Sequence, residues 1–147
     1  MAEGDGALYN NFKEQLMEGV FQLQSGGHTI KAILVSGYTP DIDTHTQYSD
    51  VSGSEYSTGD NYTEGGETLT SQDTTQDNDN DRGKFDAANV TWSSLGALDP
   101  ATPSHVILYD DTATNDELIG YWALGTTATN GGDYTIAWHA DGIVLLT

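Results

Sequence analysis

Apolar residues along this chain follow two kinds of spacing. Near the start, Leu8, Phe12, Leu16 and Val20 recur every four residues and Gly19 follows as a stop, the pattern of one helix face. The spacing predicts a single helix over residues 8–19, with its stripe packed on a sheet. Beyond the turn signal Ser25-Gly26-Gly27 the period shortens to two. Residues 29–35 form a run in which Ile30 and Leu34 share a face, as a strand requires.

The last third carries the strongest strand signal: the β-branched and aromatic runs 105–109, 117–124 and 133–138, closed by 142–147. Such residues suit a pleated, half-buried surface. Asp110-Asp111, Asn115-Asp116, Asn130-Gly131-Gly132 and Ala140-Asp141-Gly142 separate them, and these residue types tolerate turn conformations. The expected arrangement is a β-meander that serves as the scaffold. In its third run Tyr134, Ile136 and Trp138 alternate with Asp133, Thr135 and Ala137, so one face turns to a core and the other to water.

Between these parts the pattern thins. Residues 40–83 hold only Ile42, Val51 and Leu69 as aliphatics, with Tyr48, Tyr56 and Tyr62 set among Ser, Thr, Gly and Asp. A connection this long is usually functional or disordered. Spaced tyrosines argue against disorder, and tyrosines beside small polar residues are what adaptable contact loops use. Weak strands are expected near 68–70, 83–86 and 89–92. Residues 1–7 are expected to form a flexible arm, having no apolar anchor.

Length bounds the architecture: 147 residues make one domain, able to bury roughly two thirds of its unfolded surface. The expected fold is all-β, an antiparallel β-sandwich or flattened barrel of about seven or eight strands with one short N-terminal α-helix. There are no cysteines, so disulfides and thiolate metal sites do not arise. No apolar run approaches the roughly 20 residues that cross a bilayer as a helix, and the start lacks a basic-then-apolar leader pattern, so a soluble, unprocessed chain is expected.

Charge changes the picture more than composition does. Four Lys and Arg stand against 23 Asp and Glu, a formal net charge of −19. Affinity for a phosphate backbone comes from Lys and Arg contacts that release counterions. Lys13, Lys31, Arg82 and Lys84 are too scattered along the chain for a basic face, which disfavours nucleic acid and anionic membranes as partners. Acidic charge also keeps an abundant protein soluble.

Candidate chemistry is sparse. Asp77, Asp79 and Asp81 alternate with Asn78 and Asn80, and oxygen ligands at alternate positions can converge on a hard cation. The glycine and closing glutamate of a calcium-binding loop are missing, Arg82 and Ala88 standing in their places, so a solvated turn is the expected role. No nucleophile elbow, phosphate-binding glycine loop or His-Glu-x-x-His motif occurs. His28, His45, His105 and His139 have no ligand spacing. No catalytic residue and no cofactor is expected.

The order of signals does resemble something known. Leu8-Tyr9-Asn10-Asn11-Phe12-Lys13, Ile30-Lys31-Ala32-Ile33-Leu34-Val35 and Tyr38-Thr39-Pro40-Asp41-Ile42-Asp43-Thr44-His45 come first. Gly65-Gly66-Glu67-Thr68-Leu69-Thr70, Phe85-Asp86-Ala87 before Val90-Thr91-Trp92, Leu108-Tyr109-Asp110-Asp111-Thr112, Leu118-Ile119-Gly120-Tyr121 and the 133–138 run follow. Together they resemble the small structural virion proteins encoded among the head genes of tailed bacteriophages. The resemblance implies a capsid decoration, or cement, protein with no enzymatic activity. Its partners would be the major capsid protein and further copies of itself around symmetry axes. It would be made in the bacterial cytoplasm and carried on the virion. Packaged DNA repels a strongly acidic chain, which favours the outer capsid surface.

The candidate protein contacts are Leu8, Tyr9, Phe12 and Leu16 on the helix, with Tyr38, Tyr48, Tyr56 and Tyr62 on the long loop. Two alternatives remain at this level. One is a β-sandwich module for carbohydrate or a host surface, which would need Trp92, Trp122 and Trp138 exposed for stacking. The other is a tail or baseplate component. A carboxylate hydrolase would need two acids converging in a cleft.

Overall fold

The computed structural model describes residues 6–147. The chain is all-β with one helix: ten short strands, all paired antiparallel, and α1 (Asn10–Met17) among the described residues. The strands are β1 (Gly6–Leu8), β2 (Ile30–Val35), β3 (Glu67–Thr68), β4 (Asp73–Asp77) and β5 (Arg82–Asp86), followed by β6 (Val90–Trp92), β7 (His105–Asp110), β8 (Leu118–Ala123), β9 (Tyr134–Ile136) and β10 (Val144–Leu146). They make a five-stranded sheet ordered β1-β8-β7-β2-β3, a three-stranded sheet β10-β5-β4, and the ribbon β6-β9.

The five-stranded sheet holds the core because both of its faces are covered. Ile30, Ala32 and Leu34 lie on one face of β2 and Ile33 and Val35 on the other, all fully buried. Cross-strand partners share a face, so the register Ala32↔Leu108 and Leu34↔Val106 extends the first set across β7 to Trp122 on β8. Trp122 meets the ring of Trp138 at 5.7 Å. On the opposite face Tyr121 contacts Tyr9 and Tyr38, and Tyr48 stacks on Tyr109 with centroids 4.8 Å apart. The helix start and the long connection therefore form a second layer over the sheet.

The expected meander is corrected. Only β7 and β8 pair in sequence; β9 turns away to β6, and β10 to β5. The reason is that the free edge of β8 is already occupied by β1, through Gly6↔Trp122, Ala7↔Tyr121 and Leu8↔Gly120. Gly6 is required there, since a Cβ would lie 2.4 Å from Cδ1 of Trp122. Of the arm expected over residues 1–7, the first five lie outside the described residues, and Gly6 and Ala7 belong to a strand. Leu8 is likewise strand, so the helix begins two residues later than its apolar spacing predicts. The alternation at Tyr134, Ile136 and Trp138 does bury one face, leaving Thr135 exposed.

Candidate functional site

The long connection that looked like a contact loop folds inward around Glu55. Two short 3-10 turns, Tyr48–Asp50 and Ser52–Ser54, bring Glu55 alongside the end of β2, where it bridges to Val35. Tyr48 donates its hydroxyl to Oε2 of Glu55, and Tyr62 donates to Oε1 at 2.7 Å. The backbone N–H of Gly65 adds a third donor at 2.8 Å. Tyr62 in turn accepts the N–H of Leu34 at 3.0 Å, and Tyr109 donates to the carbonyl of Gly65 at 2.8 Å. Burial raises the Glu55 carboxyl above its ordinary value, and the three donors offset only part of that rise; burial raises the Tyr62 phenol as well. A carboxylate surrounded by such donors acts as a clamp that ties the loop to the sheet.

The predicted contact residues are thus mostly interior. Tyr9 and Phe12 are fully buried, and Tyr38, Tyr56 and Tyr62 are buried; Leu8, Leu16 and Tyr48 are half-buried. Phe12 packs edge-on against Phe21 at 4.8 Å. The Tyr38 hydroxyl sits 2.7 Å from that of Tyr9 and 2.8 Å from Nδ1 of His45, while Tyr56 donates to the carbonyl of Pro100 at 2.7 Å. These rings hold the second layer in place. One signal for this was present: Tyr48, Glu55 and Tyr62 stand at seven-residue intervals, and a tyrosine that finds a hydrogen-bond partner can be buried.

The acidic run is the tip of the β4–β5 hairpin. Asp77 accepts both contacts of the Asn80 amide, at 3.1 and 2.9 Å, and the Nε–H of Arg82 at 2.7 Å. Asn80 and Arg82 hold its carboxyl below the usual carboxylate range. Among the described residues, no group of three or more His, Cys, Asp or Glu could hold a metal ion. Asp79 and Asp81 lie in the hairpin turn, the role expected for this run, with Asp77 at the end of β4: Asp77 closes the loop and Asp81 takes the left-handed conformation, φ 52°.

Two acids that the sequence pattern did not single out are buried. Asp110, fully buried, contacts Nδ1 of His28 at 2.7 Å and accepts the N–H groups of Thr112 and Ala113. It pins the turn after β7 to the entry of β2. Glu117 accepts the Asn115 amide through one oxygen, while the other has no hydrogen-bond partner. All three tryptophans are buried, Trp92 almost completely, so they offer no platform for sugar stacking.

A concavity lies beside the candidates Leu16, Asp77 and Asp81. A groove of about 790 Å³ separates the three-stranded sheet from the end of α1 and the segment after it. Its sheet wall is built in two rows, because Thr74, Phe85 and Val144 are cross-strand partners, as are Gln76, Gly83 and Leu146. In the first row Phe85 and Val144 are buried; the second row is exposed throughout. The core ends between them. Leu16, Phe21 and Leu23 form the opposite wall. Compared with protein families, curated proteins and solved structures, the chain has no match.

Proposed function

We propose that this protein is a structural component of a bacteriophage particle, a decoration protein that binds the outer head surface and stabilises it by bridging major capsid protein capsomers. The observation that carries the reading is a net charge of −19 on a chain whose long connection is clamped into a rigid second layer by Glu55. Bridging many equivalent sites rewards a preorganised surface, because little ordering entropy is lost at each contact. The acidic charge favours the outside of a DNA-filled shell. The whole-chain resemblance described above points the same way. Buried tryptophans give no support to the carbohydrate-binding alternative.

The test is to add purified protein to heads prepared without it, then locate it by cryo-electron microscopy and heat the particles. Density at regular positions on the outer head, with a higher rupture temperature, is expected. Density in the tail, or rupture unchanged by saturating protein, would remove the cement role.

A further inference from the structure

We infer that Tyr9, Tyr38 and His45 form an acid-sensitive latch, in which protonation of the His45 imidazole loosens the start of α1 and the loop after β2 from the five-stranded sheet. The three side chains are joined end to end: the hydroxyls of Tyr9 and Tyr38 lie 2.7 Å apart, and that of Tyr38 lies 2.8 Å from Nδ1 of His45. Tyr9 is fully buried, Tyr38 is 7% exposed and His45 is half-buried, so the chain of contacts runs from the interior toward the surface. It ties together segments remote in sequence. Tyr9 stands immediately before α1, and its backbone N–H donates to the carbonyl of Ile119 on β8 at 3.1 Å. His45 closes the turn begun at Asp41, donating its N–H to that carbonyl at 3.1 Å. Between them Tyr38 packs edge-on against Tyr121 of β8 and His105 of β7.

The direction follows from counting hydrogens. Each tyrosine hydroxyl brings one hydrogen, and a neutral imidazole offers one bare nitrogen as acceptor. With that nitrogen at Nδ1, Tyr38 donates to His45 and Tyr9 donates to Tyr38, so two hydrogens fill the two contacts. A protonated imidazole carries a hydrogen on Nδ1 as well, and three hydrogens then compete for the same two contacts. One hydroxyl hydrogen is left in the interior without an acceptor, and a buried unsatisfied donor is destabilising. Nearby charges pull the other way. The carboxylates of Asp41 and Asp50 attract a charge on His45, but both residues are exposed, where solvent screens the attraction. Each is already engaged by backbone N–H groups of its own loop, those of Asp43 and Thr44 for Asp41, and of Thr46 and Gln47 for Asp50. The titratable groups that face the chain from the sheet are Tyr121 and His105, and burial disfavours the charged form of His105. The lost interior hydrogen bond therefore outweighs the screened attraction. The unfolded chain then takes up a proton more readily than the folded one, so the latch holds above the imidazole range and is lost as pH falls through it. This device does not depend on the virion reading, and its test uses the isolated protein.

The experiment follows denaturant unfolding of the full chain between about pH 7.5 and about pH 5, on either side of the ordinary imidazole value. It compares the wild type, His45→Gln, Tyr38→Phe and the double variant. A glutamine at 45 accepts from Tyr38 without titrating. Relative to His45→Gln, the folded-to-unfolded ratio of the wild type should fall at least about fivefold across that range, the size of one lost interior hydrogen bond. The same comparison made with Tyr38→Phe in both chains should show no pH dependence, because the chain is then cut at every pH. In the wild type, acid should also speed amide exchange at Tyr9 and Asn10, whose N–H groups hold the start of α1 to Ile119 and Ile42, before the protein unfolds globally. A wild-type ratio that holds or rises relative to His45→Gln as pH falls, or a pH difference that survives Tyr38→Phe, would overturn the inference. Should His45→Gln fail to fold, exchange at Tyr9 and Asn10 that acid leaves unchanged in the wild type would overturn it alone. So would a nitrogen-15 shift showing a hydrogen on Nδ1 of His45 at neutral pH.

Discussion

The two main sheets treat their apolar residues in opposite ways. In the five-stranded sheet, β2 buries both of its faces, one under Trp138 and its neighbours and the other under the tyrosine layer. In the three-stranded sheet, β4 is exposed along nearly its whole length, and the inner face is covered for only one of its two rows. The first sheet has no surface to spare and can only support. The second keeps a half-built core that folding alone does not close.

The largest effects should come from the covered sheet. Leu34→Ala or Ile107→Ala removes a fully buried side chain and should destabilise the protein by about 2–5 kcal/mol in denaturant titrations. A loss below about 1 kcal/mol would mean that the double-sided burial is not the main support.

Next comes the clamp over that sheet. Tyr62→Phe leaves the Leu34 N–H without its partner and removes one of the two donors to Oε1 of Glu55, the Gly65 N–H remaining, and should cost about 1–3 kcal/mol, the penalty for an unsatisfied buried group. Its pH behaviour sharpens the point. The folded-state pKa of Glu55 lies above its ordinary value because burial disfavours the charge. Its contribution is therefore complete below the unfolded pKa and is lost as pH rises through the folded one. Relative to Glu55→Gln, the wild type should gain stability as pH falls from neutrality toward the ordinary glutamate range, read as the difference between their melting temperatures. The opposite slope would show that the three donors outweigh burial.

Smaller effects belong to the hairpin. Asp77→Asn weakens the contacts to Arg82 and Asn80 at the hairpin tip and should lower the melting temperature only slightly, by an amount that diminishes with salt. Gly83→Leu, entering open space, should shift stability by no more than about 0.5 kcal/mol, as surface changes do. A large loss there would mean that the groove is packed, and the contrast between the sheets would fail.

The sequence by itself determined the all-β class, the single helix, the strand positions near 30–35, 105–110 and 118–123, and the inward face of Tyr134, Ile136 and Trp138. Those follow from local spacing, because the period of apolar residues sets which face is wet. It also determined the net charge of −19. Only the tertiary structure decided which strands pair. The β1 segment takes the edge of β8 through a glycine whose role depends on Trp122, more than a hundred positions away. Likewise, Tyr38, Tyr56 and Tyr62 read as surface residues until Glu55, His45 and the Pro100 carbonyl satisfied their hydroxyls. The groove was invisible for the same reason: Leu16, Gly83 and Leu146 come from three distant segments, and a concavity is a property of how segments pack, which no local period records.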